Sequence, residues 1–118
     1  MIEEEIRENI QGHIARNAEI ASQLRQRGTA LDQMQSIDHH FWAKVHEDAI
    51  LLAQQLYERG YLIQVISPTN MEDGSTWWNV EASLSRTLSD VTGQETTEAL
   101  VRLAARFESI YDGWGTSL

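Results

Sequence analysis

The sequence predicts an α+β domain, an antiparallel sheet with helices packed against it, and three observations predict it. Apolar residues recur at helical spacing in three separate stretches. Between them lie short runs dense in β-branched and aromatic residues, and two of these runs flank an Asp-Gly turn signal. Helical and strand-like segments then alternate along the chain.

Residues 2–27 form the first helix. Ile6, Ile10, Ile14, Ala18, Ala21 and Leu24 follow each other at spacings of three and four, which keeps them on one face. Glu3, Glu4 and Glu5 at its start and Arg25 and Arg27 at its end complement the helix dipole. Gly28 stands where a C-terminal cap belongs, and Thr29 and Ala30 begin the exit loop. The segment 34–42 is mixed, with Ile37 and Phe41 set among polar residues, and taken alone it fits a strand or a turn. A second helix runs from about 43 to 59, with Val45, Ala49, Leu52, Ala53 and Leu56 as its stripe and Gly60 as its stop.

Residues 61–66 read as a strand, and so do residues 76–84, where Trp78, Val80, Ala82 and Leu84 alternate with Trp77, Asn79, Glu81 and Ser83. Pro68, Thr69, Asn70 and above all Asp73-Gly74 mark the turn that joins them in a hairpin. Residues 85–93 are a polar connection, with Thr92 placed to cap the next helix. That third helix covers 94–108 on Leu100, Leu103, Ala104 and Phe107, and a last strand covers 109–114 with Ile110 and Tyr111.

With 34–42 taken as a strand, the order after the first helix is βαββαβ. That is the ferredoxin-like arrangement, two helices on one face of a four-stranded antiparallel sheet. The N-terminal helix is an addition that covers part of the open sheet face or lies across an edge. One domain spans residues 1–118, with the helix at 2–27 and the core at 34–116. Expected core positions are Val45, Leu52, Leu56, Ile63, Val65, Val80, Leu100, Leu103 and Phe107.

Composition narrows the function. The 118 residues suit one domain, and 42% hydrophobic against 23% charged residues is a globular balance. Cysteine is absent, which excludes disulfide scaffolds, zinc ribbons and thiol catalysis. No apolar run approaches the roughly 18 residues of a membrane helix, and Glu3–Glu5 carry the wrong charge for a signal peptide. A cytoplasmic protein with no membrane partner is therefore expected. Nine basic residues face 18 acidic ones, a net charge of -9. Such a surface repels phosphate backbones and attracts basic protein segments, so no direct nucleic-acid binding is expected.

Candidate chemistry is sparse. Asp38, His39 and His40 are consecutive and His46 follows, but neighbours on a strand point to opposite faces, so His39 and His40 cannot grip one ion from an extended segment. No H-E-x-x-H spacing exists, and no metal site is assigned. One imidazole is expected on the core side, hydrogen-bonded, and the other in water. Asp38, Glu47, Asp48, Glu81 and Asp112 are available carboxylates, but nothing in the sequence fixes two of them together. There is no G-x-S-x-G, P-loop or G-x-G-x-x-G, so no catalytic residue and no cofactor is assigned. Trp77 and Trp78 must face opposite sides of their strand, one into the core and the other exposed or under the first helix. Trp114, after a glycine, is expected to fold back onto the core.

Three elements occur in a telling order: Asp38-His39-His40, Arg59-Gly60-Tyr61, and Tyr111-Asp112-Gly113-Trp114-Gly115-Thr116. Together with Leu103-Ala104-Ala105-Arg106-Phe107 before the hexapeptide, they resemble the signature of the ribonuclease E inhibitor B family, the regulators of ribonuclease E activity B. The resemblance spans about residues 5–116, and the hexapeptide is its specific part. It implies a ferredoxin-like fold and a non-enzymatic role, in which a protein contacts the scaffold-bearing C-terminal region of ribonuclease E, or a similar basic RNA-processing protein, and restrains RNA processing. It marks Asp38, His39, His40, Tyr111, Asp112, Gly113, Trp114 and Gly115 as family-motif or partner-binding residues, to which an exposed Trp77 is added as an interface candidate. Two other readings stay open. Asp38, His39, His40 and Asp112 around one cleft would make a small hydrolytic or metal-dependent enzyme. A bare apolar stripe on the first helix would make a self-associating homodimer instead of a monomer.

Overall fold

The computed structural model describes residues 1–116; the last two positions of the expected domain lie outside the described residues. Helix α1 (Glu3–Gln26) opens on its three glutamates and ends in a Schellman cap. There Gly28, at φ 75°, donates to the Arg25 carbonyl at 3.0 Å while Thr29 N–H donates to Leu24 at 2.9 Å. The same device ends α2 (His46–Glu58): Gly60, at φ 95°, donates to Tyr57 and Tyr61 N–H donates to Leu56, both at 3.0 Å. Arg59-Gly60-Tyr61 is thus a helix stop that turns the Tyr61 ring into the interior.

Strands β1 (Met34–Ala43), β2 (Leu62–Asn70), β3 (Thr76–Thr87) and β4 (Ser109–Gly115) form one antiparallel sheet in the order β2-β3-β1-β4. β1 is central, with Phe41 opposite Val80 on one side and Tyr111 on the other. Helices α2 and α4 (Gln94–Ala105) lie on one face of the sheet. Leu52, Leu56, Leu100, Val101 and Leu103 from these helices close over Phe41, Ala43, Val80, Ala82 and Tyr111. α1 lies on that same side beside α4, with Ile10 in the main core and Leu24 in a smaller cluster of Ile37, Leu88 and Val91. Among the described residues no helix covers the opposite face of the sheet.

Several sequence expectations need correction. The 85–93 connection is more ordered than a loop: β3 continues to Thr87, and a single turn α3 (Leu88–Val91) buries Leu88 and Val91. The cap of α4 is Gly93 and not Thr92; Thr92 instead turns its hydroxyl back to the Leu88 carbonyl at 2.8 Å. Val45 precedes α2 and is 51% exposed, because the helix begins later than the apolar stripe suggested. Val65 misses the core through a bulge in β2: Ile63 lies opposite Ala82, but Val65 lies opposite Glu81. One extra residue flips the side-chain alternation, so Ile63 and Ile66 face the helices instead. In α1 the buried stripe is Ile10, His13, Asn17, Ala21 and Leu24, and Ala18 is exposed. Two polar residues occupy the stripe because β4 and α4 offer them partners.

Candidate functional site

Strand β1 sends its side chains to two different environments. His39, on the helix side, is fully buried, and its Nδ1 lies 2.9 Å from the Tyr111 hydroxyl. Burial strips the imidazole of water and, with the nearby charges of Arg86 and His40, pulls its pKa down from 6.5 to about 3. Burial likewise pushes the Tyr111 hydroxyl up, so it stays protonated. The Tyr61 ring stands edge-on to His39 at 5.6 Å, and its oxygen accepts from Arg86 Nη2 at 2.6 Å. Arg86 also reaches Asp90 at 3.4 Å. His39 is therefore a neutral, packed member of the interior.

Asp38, His40 and Trp42 face the other way, onto the uncovered side of the sheet. Asp38 Oδ1 accepts from the Ser83 hydroxyl at 2.7 Å, and Ser83 in turn accepts from Gln64 Nε2 at 3.2 Å. His40 Nδ1 lies 3.4 Å from Glu81 on the neighbouring strand. Trp42 Nε1 donates to Asp112 Oδ2 at 3.2 Å. A bulge in β4 makes that last contact possible: Phe41 pairs with Tyr111 and His40 with Gly113, which leaves Asp112 as the extra residue, leaning over the face. Trp78 packs toward the core and stacks on His46 at 4.1 Å, so Trp77 points to the open side, where Lys44 Nζ stands 5.5 Å from its ring. α1 does not reach Trp77. The open face thus joins three carboxylates, Asp38, Glu81 and Asp112, with two indoles.

The rest of the hexapeptide fastens α1 to the sheet. The Tyr111 carbonyl lies 2.9 Å from His13 Nε2. Trp114 Nε1 donates to Asn17 Oδ1 at 3.0 Å, and Asn17 Nδ2 donates to Thr97 on α4 at 3.0 Å. Gly113 stands at φ 112°, which favours glycine; a β-carbon there would make only ordinary contact with Arg16 at 3.5 Å and His13 at 3.7 Å of α1. Thr116 donates to the Ser36 carbonyl at 2.8 Å. Gly115 has open space around its α-carbon, so packing does not require a glycine there.

The predicted site residues therefore divide. Asp38, His40, Asp112 and Trp77 share the open face; His39, Tyr111, Gly113 and Trp114 lie on the helix side. The proposed Asp38-His39-His40-Asp112 cleft is not assembled, because His39 is behind the sheet from the other three. Among the described residues no group of three or more His, Asp or Glu side chains is placed to hold a metal ion, and no helix is long and apolar enough to cross a membrane.

The sequence has known relatives. Residues 14–116 match the family model described as Regulator of ribonuclease activity B. The chain belongs to this family. Among its relatives is the Regulator of ribonuclease activity B of Pseudoalteromonas translucida, 26% identical over 98 residues, covering 83% of this chain and 88% of the relative. The protein of the same name from Psychromonas ingrahamii is 29% identical over 98 residues, covering 83% and 81%. That of Alteromonas mediterranea is 26% identical over 100 residues, covering 85% and 76%.

Sequence reading missed several members of both groups. Trp42 was within reach, since it continues the alternation of Asp38 and His40 on β1. His13 and Asn17 sit at helical spacing from Ile10, and their polarity hid them. Arg86 carried no local signal and Tyr61 only that of the Arg59-Gly60-Tyr61 motif, because their meeting depends on the packing of α2 against β3.

Proposed function

We propose that this protein is a non-catalytic cytoplasmic regulator that restrains a ribonuclease by binding it, with the uncovered sheet face as the contact surface. The observation that carries this reading is the grouping of Asp38, Glu81 and Asp112 with Trp42 and Trp77 on a face that no helix covers. Carboxylates and indoles together suit arginine and lysine side chains, which pair with the first and stack on the second. Lys44 over Trp77 is an intramolecular instance of that stacking. The partner that fits is a basic, extended segment of ribonuclease E or a similar RNA-processing protein, in keeping with the names of the relatives and a net charge of -9. The same carboxylates disfavour direct contact with RNA phosphates. The strand order and antiparallel pairings support the ferredoxin-like reading of residues 34–116, in which the two βαβ crossovers interleave. The apolar stripe of α1 is spent on α4 and the sheet, which leaves no support for self-association through that helix.

The test is titration of the purified C-terminal scaffold region of ribonuclease E with this protein and with Glu81→Lys and Asp112→Lys. Binding should weaken at least about tenfold with each reversal, roughly 1.4 kcal/mol. It should also fall with salt as the Debye length shrinks from about 10 Å at 0.1 M to about 3 Å at 1 M. Absence of binding, or affinity indifferent to both reversals and to salt, would defeat the proposal.

A further inference from the structure

Strand β2 is a terminal strand of the sheet, and among the described residues β3 is its only strand neighbour. Its outer edge therefore offers backbone N–H and C=O groups that no strand among the described residues takes up. Proteins usually blunt such an edge with charged side chains, proline, bulges or a covering element. Here Leu62–Asn70 carries no charged residue at all. Its single proline, Pro68, sits toward the far end, and its bulge lies between Ile63 and Val65. Beside the edge runs an apolar groove of about 510 Å³, walled by Ile50, Ala53 and Tyr57 of α2 and by Ile63 and Ile66 of β2. Tyr57 is 70% exposed and Leu62 is 62% exposed, among the most exposed large apolar side chains described. An uncharged edge next to an apolar groove is the arrangement by which an extended peptide is added to a sheet, its backbone on the strand and one side chain in the groove.

Charge selects the occupant. Exposed Glu47 stands in the first turn of α2, and exposed Glu58 borders the groove at the other end of the helix. A second copy of this chain would bring another net charge of -9 against the first, with the same carboxylates. Glu47 and Asp48 outnumber Lys44 at one end of the helix, and Glu58 borders the groove beside Arg59, so with the net charge of -9 a basic segment is favoured over a second copy. We infer that β2 and the groove beside it receive an extended basic segment of the partner protein as a fifth strand, with one large apolar side chain of that segment seated between Tyr57 and Ile66. This inference rests on the ribonuclease-binding reading and adds to it a second, backbone-directed contact.

The test uses the full chain and the same C-terminal region of ribonuclease E, comparing wild type with Tyr57→Ala, Leu62→Lys and Trp42→Ala. Tyr57 and Leu62 are exposed enough that both substitutions leave the fold intact, which circular dichroism checks. Amide hydrogen exchange is followed across β2 with and without the ribonuclease region. The expected result is slower exchange in residues 62–67 on binding, and an affinity roughly tenfold lower or worse for Tyr57→Ala and for Leu62→Lys, as for an anchor side chain lost from an interface. Wild-type binding with unchanged exchange in β2 and unchanged affinity for both edge variants would overturn the inference, while sensitivity to Trp42→Ala would leave the open-face reading standing. Failure of the wild-type chain to bind would remove both. Dimerisation of the free protein abolished by Leu62→Lys would assign the edge to a second copy and overturn it as well.

Discussion

Lowering the pH from 7 to 5 should destabilise this protein through one residue. His39 is buried against Tyr111 and Tyr61, and its folded-state pKa of about 3 lies well below the ordinary value of 6.5. Above pH 6.5 the ring is neutral in both folded and unfolded chains, and the full benefit of its packing is present. As the pH falls below 6.5 the unfolded chain takes up a proton that the folded chain refuses. Stability is therefore lost progressively until the pH passes through the folded value. At pH 5 the difference in proton uptake is worth about 2 kcal/mol by linkage. For a chain of this length, with an unfolding entropy of roughly 2.1 cal/mol/K per residue, that is a fall in Tm of about 8 °C. Ordinary carboxylates remain ionised through most of this window, and comparison with a His39 variant isolates the contribution of this histidine. The assay is urea denaturation at pH 7 and pH 5 for wild type and His39→Gln. The variant is less stable at both values, but its loss between them should be about 2 kcal/mol smaller than that of wild type. In parallel, the His39 ring of the wild type should show no titration by NMR down to pH 5. A His39 signal titrating near its ordinary value, or the same pH dependence in wild type and variant, would refute the argument.

The same packing sets other expected outcomes. Leu103→Ala empties a position only 3% exposed and should cost roughly 2–5 kcal/mol in chemical denaturation, whereas a loss under about half a kcal/mol would mean the α4 face is misassigned. Gly113→Val forces a β-branched residue to φ 112° and toward Arg16; it should cost about 1–3 kcal/mol and alter the near-ultraviolet signal of Trp114, and a variant as stable as wild type would contradict the docking role of the hexapeptide. Dialysis against chelator should leave Tm unchanged, because a lost native-state ligand lowers stability; a drop of several degrees restored by zinc would revive the metal-dependent reading.

Local pattern carried much of this molecule. The spacing of Ile10, Ala21 and Leu24 specified α1, the stop signals at Gly28 and Gly60 ended two helices, and Asp73-Gly74 turned the hairpin, since each of these depends on neighbours within a few residues. Strand alternation alone separated His39 from His40 and Trp77 from Trp78. The tertiary structure decided what local pattern could not reach. The bulges at Ile63/Val65 and opposite His40/Phe41 moved Val65 out of the core and set Asp112 over Trp42, and a bulge is a matter of pairing between strands. The burial of the polar His13 and Asn17 depends on Tyr111, Thr97 and Trp114, some 80–98 positions away, which supply their hydrogen bonds. The hexapeptide was legible as a motif, but its division of labour was not: Asp112 serves the open face while Tyr111, Gly113 and Trp114 hold α1. That division exists only once one strand has a helix on one side and water on the other.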